Sequence, residues 1–360
     1  VPVTQARTMR SYLSGFHRDF DWYEHPGGGH WYDSTDEPGA DCVDYGPMFD
    51  FFAKHRRPNT ADVRHVEFHT SHPGVNSKSH WVTIVSQQQK FTPSSVSIRN
   101  DSGKRRFVGE TMNVERLLLD TNHLSPADSV TVELDGQKLP PIAWPQDGVV
   151  RLENVGGSWQ LASPWSADDK NPSRSGPFKA AFNHRFVFIY GTTGTDEENA
   201  WSYAKARFDA ETWWYRGNGH VEVVADTDFT ADSFPNRSVI VYGNADSNGA
   251  WGTLLSDSPV QIKRGEIKVG GKTVENDSLG VLMVRPRKGS LIASVGVISG
   301  TGASGMRSTN QLPYFLAGVH YPDLFVFDSN MPTQGSKAVV AAGVFGTDWS
   351  VTNGEFVWRD

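Results

Sequence analysis

The 360-residue chain carries 34 Lys and Arg against 41 Asp and Glu, a formal net charge of −7, which makes a phosphate backbone a poor partner. Hydrophobic residues at 38% and charged residues at 21% argue against long disorder. No apolar run approaches the roughly 18 residues of a membrane span, and one cysteine, Cys42, leaves no internal disulfide.

With 35 Gly and 20 Pro the chain should be rich in turns and short strands. Residues 1–60 read as helix, strand, glycine-rich loop and helix. Val3, Ala6, Met9 and Leu13 share one helical face, and Gly15 is a natural stop. Residues 19–24 read as a strand, followed by His25-Pro26-Gly27-Gly28-Gly29-His30. A second helix is predicted over residues 43–56, with Met48, Phe49 and Phe52 toward a core, and Pro58 ends it. A helix starting at residue 2 has no earlier strand to pack on, so further chain is expected ahead of Val1.

Residues 61–168 carry short strand-like runs near 63–70, 81–86, 95–100, 114–119, 130–134 and 149–153. Asp135-Gly136 and Gly156-Gly157 punctuate them. This spacing predicts a β-sandwich. Residues 165–175 read as a polar linker. Residues 176–360 alternate strand and helix, with strands at 185–190, 220–225, 238–242, 279–285, 291–299 and 324–327 and a helix over 197–216. The expectation is a second open α/β domain with a mostly parallel sheet, giving an α/β plus β chain overall.

Three stretches carry a resemblance. Val1-Pro2-Val3-Thr4-Gln5-Ala6 is the first, and Trp22-Tyr23-Glu24-His25-Pro26-Gly27-Gly28-Gly29-His30-Trp31 is the second. The third is Cys42-Val43-Asp44-Tyr45-Gly46-Pro47-Met48-Phe49-Asp50-Phe51-Phe52. Together they resemble the end of a prolyl oligopeptidase-like α/β-hydrolase, a serine hydrolase. The match covers about one sixth of the chain. It implies a late helix, the last core strand, a glycine-rich turn that delivers the catalytic histidine, and a closing helix. His30 would take a proton from a serine and return it to the leaving group, in ester or peptide hydrolysis through an acyl-enzyme. Three glycines before His30 permit a tight turn with close backbone approach. His25 reads as a surface residue or a support for the site.

The family's order of serine, acid and histidine places the nucleophile, the acid and the oxyanion hole ahead of Val1. The chain accordingly contains no G-x-S-x-G; Gly302-Ala303-Ser304-Gly305-Met306 lacks the final glycine. Beyond residue 60 the chain resembles the C-terminal extensions of some large bacterial hydrolases of this kind. The resemblance implies an ester or peptide substrate, the upstream part of the same hydrolase domain as partner, no cofactor and no metal. It favours a secreted or periplasmic location.

Rival signals lie elsewhere. Gly300, Gly302 and Gly305 fit G-x-G-x-x-G after a strand, and Asp328 ends the next strand, which is the layout of a dinucleotide site. Pro313 interrupts the following helix, and too little chain remains for a second mononucleotide half. Gly191-Thr192-Thr193-Gly194-Thr195 lacks the Gly-Lys-Ser/Thr of a P-loop. Asn244, Asp246 and Asn248 follow another strand, so these loops should gather at the carboxyl edge of a parallel sheet. His65, His69 and His72 are close in sequence, but no Cys or carboxylate completes a metal set. Trp201, Tyr203, Trp213 and Trp214 read as core on a helix rather than a carbohydrate platform. The alternatives to hydrolysis are a noncatalytic module binding a partner or polysaccharide, and a nucleotide-binding protein using residues 300–305.

Overall fold

The computed structural model describes residues 2–359. The chain divides into two units, Val1–Asp62 and Val63–Asp360.

In the first unit, Pro2 supplies the extended residue before helix α1 (Val3–Phe16). Two short helices follow, α2 (Asp41–Asp44) and α3 (Gly46–Ala53), the latter with Pro47 in its first turn. None of the three helices has a buried residue. The apolar face of α1 is open, with Met9 58% and Phe16 80% exposed. The strand expected over residues 19–24 does not form; residues 17–24 take no regular structure. A strand is made by pairing, and the described residues of the first unit hold no other strand to pair with.

The second unit begins with eleven short strands: β1 (His65–Thr70), β2 (Lys78–Ser79), β3 (Val82–Ser86), β4 (Ser94–Asp101), β5 (Arg106–Met112), β6 (Arg116–Asp120), β7 (Ser129–Leu134), β8 (Gln137–Lys138), β9 (Ile142–Ala143), β10 (Val149–Val155) and β11 (Ser158–Leu161). One sheet runs β1-β4-β5-β7-β8, with β9 also on β7; the other runs β11-β10-β6-β3-β2. Every pairing is antiparallel except β5 with β7. Burial alternates along β4 and β7, as it must when one face meets a core and the other water. The two inner faces share Trp81, Phe107, Leu117, Val132, Leu152 and Trp159. Trp81 is fully buried, and its indole N–H donates to Val63 O at 3.0 Å.

The rest of the unit is built on one eight-stranded sheet: β12 (Phe186–Tyr190), β13 (Val223–Ala225), β14 (Ser238–Tyr242), β18 (Leu279–Pro286), β19 (Ser294–Gly300), β20 (Leu324–Asp328), β21 (Val339–Val344) and β22 (Glu355–Trp358). A separate three-stranded meander, β15 (Val260–Lys263), β16 (Glu266–Val269) and β17 (Lys272–Glu275), is inserted after β14. The strand order is β13-β12-β14-β19-β18-β20-β21-β22. Helix α4 (Asp196–Gly217) links β12 to β13, α5 (Trp251–Leu255) follows β14, and α6 (Ala303–Ser308) follows β19.

This sheet corrects the expected fold class. β13, β12, β14 and β19 pair in parallel, but β19, β18, β20, β21 and β22 pair antiparallel. The sheet is therefore mixed, and the chain holds more strand than helix, 31% against 23%. The cause is connection length. A parallel return needs a dozen or more residues, whereas residues 287–293 alone join β18 to β19. The central strands β14 and β19 are buried along their whole length, so they read as unbroken apolar runs whichever way they pair.

Residues 165–175 are built in rather than loose. Lys170 Nζ reaches Asp323 at 2.5 Å and donates to Phe345 O at 2.8 Å. Arg174 is fully buried and donates to the carbonyls of Ser290, Ala293 and Ala167. Arg116 on β6 joins Glu153 at 2.9 Å and Asp169 at 2.7 Å.

Candidate active site

The sequence His25-Pro26-Gly27-Gly28 folds as a type II turn. Pro26 fixes the first central φ, Gly27 takes φ +73° at the second, and Gly28 N–H donates to His25 O at 3.2 Å. Gly28 has a further reason to lack a side chain: a Cβ there would lie 2.8 Å from His25 Cδ2. Gly29 faces open space. The turn leaves His30 exposed, edge-on to Trp31 with ring centroids 5.1 Å apart, and Trp31 is itself exposed. Among the described residues the His30 imidazole has no hydrogen-bond partner, and no serine or carboxylate is brought to it.

The partnered histidine is His25. Its ring stacks on Tyr32 with centroids 4.5 Å apart. Its Nδ1 meets Tyr23 Oη at 3.0 Å and its Nε2 meets Ser34 Oγ at 3.3 Å. Asp41 accepts from Ser34 N–H at 2.7 Å and from Thr35 Oγ1 at 2.9 Å, so the loop that carries Ser34 is tied to α2. A depression of about 460 Å³ lies among these side chains and Tyr45. The sequence reading gave His25 no such set. The available signal was Tyr23 and His25 two residues apart in an extended segment, which puts both on one side.

His55, at the end of α3, contacts Asp19 at 2.9 Å and Phe51 O at 2.6 Å. The carbonyl first and the carboxylate second raise its pKa above the ordinary imidazole value.

At the carboxyl edge of the parallel strands the loops do gather, but they satisfy one another. Asp226, buried after β13, accepts from Thr192 N–H at 3.1 Å, Thr192 Oγ1 at 2.6 Å and Gly249 N–H at 2.6 Å. Asn244 Nδ2 donates to Gly300 O, and Asn248 Nδ2 to Ile189 O and Tyr242 O. Thr195 caps α4 in a reciprocal pair with Glu198, which Arg264 also holds at 2.7 Å.

The glycines at 300–305 serve packing. A Cβ on Gly300 would lie 2.4 Å from Met306 N, one on Gly302 2.4 Å from Asp277 O, and one on Gly305 2.0 Å from Leu279 O. They let the six-residue α6 press on β18 and β19. β20, which ends in Asp328, is separated from β19 by the antiparallel β18, unlike the adjacent parallel strand of a dinucleotide fold.

His65 Nε2 lies 2.9 Å from Ser97 Oγ, and His72 Nδ1 accepts from Gly74 N–H at 3.1 Å. Among the described residues no group of three or more His, Cys, Asp or Glu side chains is gathered as for a metal ion, and no helix is long and apolar enough to cross a membrane.

No family model matches the chain. The chain is similar to an uncharacterized secreted protein of Arthroderma benhamiae, with 23% identity over 371 residues that take in 99% of this chain and 38% of that protein. The chain thus spans well under half the length of the curated relative it matches.

Proposed function

We propose that residues 1–60 are the closing part of a prolyl oligopeptidase-like α/β-hydrolase domain, that His30 is its general base, and that the nucleophilic serine and the acid lie outside residues 1–360. The observation that carries this reading is the Pro26-Gly27 turn, which leaves His30 exposed with no hydrogen-bond partner among the described residues. A base that must reach a serine on another segment needs that freedom. The coreless helices of the same unit support it. Val3, Met9, Phe16, Phe49 and Phe52 are exposed, and such apolar faces are covered when a hydrolase domain is whole. The reaction is acyl transfer to serine and then to water, on an ester or peptide bond. His30 takes the serine proton, protonates the leaving group, and repeats both transfers with water. The similar protein of Arthroderma benhamiae is a secreted one, which supports export of this chain.

The test is turnover by the longer natural protein containing this chain. His30→Ala should lower kcat/KM for an activated ester by about 10⁴-fold or more, because losing a triad member leaves only binding and oxyanion contributions. His25→Ala should change it little. Full activity in the His30→Ala protein would sink the assignment, and so would serine-dependent hydrolysis by residues 1–360 alone.

A further inference from the structure

Helix α4 carries two stripes. Trp201, Lys205, Ala206 and Asp209 face the sheet and are buried. Tyr203, Arg207, Glu211 and Trp214 line an open groove of about 740 Å³ whose other wall is Tyr190 and the edge strand β13. Trp214 is 67% and Tyr203 45% exposed. A helix lying on one sheet needs one apolar stripe, so a second, aromatic one marks a surface that meets something.

Tyr203 is held in place by two neighbours and stays half-exposed. Tyr190 packs edge-on to Tyr203, centroids 5.0 Å apart at 66°. Arg207 lies 5.9 Å over Tyr203, donates to its hydroxyl at 3.1 Å and sits 3.6 Å from Glu211. On the opposite wall Glu222 is paired with Arg237 at 2.8 Å. The groove therefore combines aromatic faces with charges that already neutralise one another.

We propose that this groove binds a neutral polysaccharide, with pyranose rings lying on Tyr203 and Trp214 and hydroxyls taken by Arg207, Glu211 and Glu222. Such a sugar chain is apolar on its C–H faces and hydrogen-bonding at its rim, which is the complement of this surface. The paired charges and the net charge of −7 offer no field to a polyphosphate. An apolar helix or acyl chain would take those ion pairs out of water and offer their remaining hydrogen-bonding capacity nothing in return. An added peptide strand would find only the three residues of β13 to pair with. Tyr203 and Trp214 are eleven residues apart on α4, about 16 Å at 1.5 Å per residue, so the site spans a run of sugars rather than one. The proposal concerns the second unit and does not depend on the hydrolase reading.

Affinity electrophoresis of the full chain tests it, in gels containing mixed-linkage β-glucan, xylan, glucomannan or starch, with pull-down on cellulose and chitin. Binding to at least one of these neutral polymers is expected. Trp214→Ala and Tyr203→Ala should each weaken it tenfold or more, and Trp214→Phe should keep most of it. Tyr215→Ala, on the same helix but outside the groove, should leave it unchanged; circular dichroism checks that each variant is folded. Failure to bind any of the six polymers would overturn the proposal. So would binding that survives both ring-to-alanine changes, or retention of an extended peptide in place of every glycan.

Discussion

Asp209 shows how a polar residue is held inside this protein. It is 1% exposed in the middle of α4, and Lys205 one turn earlier approaches it at 2.8 Å. Tyr242 donates to it at 2.9 Å, and Tyr314 donates to the same oxygen. Burial first, and then the Asp209 charge, push both phenols well above their ordinary pKa, so they remain donors. Asp209→Ala would leave the Lys205 ammonium buried without its carboxylate, at a cost of about 3–5 kcal/mol. A clear fall in the thermal midpoint should follow, with a smaller fall for Asp209→Asn, which keeps the shape and one acceptor. A midpoint unchanged in Asp209→Ala would show that the cluster is dispensable. In the sequence only the four-residue spacing of Lys205 and Asp209 hinted at a pair; the tyrosines come from 33 and 105 residues away. His30 is the opposite case. Its turn was legible because Pro and Gly act locally, whereas the proposed partners of the imidazole are not local at all.

At the level of elements, long-period signals read well and strand direction did not. A helix is expected over residues 197–216 after the strand and its Gly-Thr loop, and α4 spans Asp196–Gly217 with Thr195 as its cap. β18 and β19 are apolar throughout, so their sequences do not show whether they run parallel or antiparallel. The short connection over residues 287–293 was the available clue. Residues 19–24 alternate like a strand but find no edge in their own unit. The glycines after β19 match a dinucleotide fingerprint for a different reason, since close approach of α6 to Leu279 also demands them. Gly305→Ala should therefore destabilise by about 1–3 kcal/mol, measured by denaturant unfolding, because the new Cβ would meet the Leu279 carbonyl at 2.0 Å. No loss of stability there would mean that α6 is free to shift.

At the scale of the molecule, the two units should respond to pH in opposite senses. In Val63–Asp360, burial lowers the pKa of His72, helped by Lys170, and burial likewise lowers that of His123. The folded imidazoles stay neutral where the unfolded ones, near pH 6.5, take up protons. The folded state then binds fewer protons, so stability is full above about pH 6.5 and falls as pH drops below it. His55 in Val1–Asp62 has a raised pKa, so its contribution is full below about pH 6.5 and is lost as pH rises through the raised folded value. The thermal midpoint of the second unit should drop between pH 7.5 and 5.5, and drop less in the His72→Asn, His123→Gln double variant; a rise on acidification would contradict this.

The hydrolase proposal meets its most direct test in one mass-spectrometric measurement. A fluorophosphonate probe is applied to residues 1–360, to the longer natural protein, and to its His30→Ala variant, and the adduct is mapped. The expected result is no adduct on residues 1–360, and in the longer protein a single modified serine ahead of Val1 whose labelling slows by orders of magnitude without His30. A modified serine within residues 1–360, or labelling indifferent to His30, would contradict it.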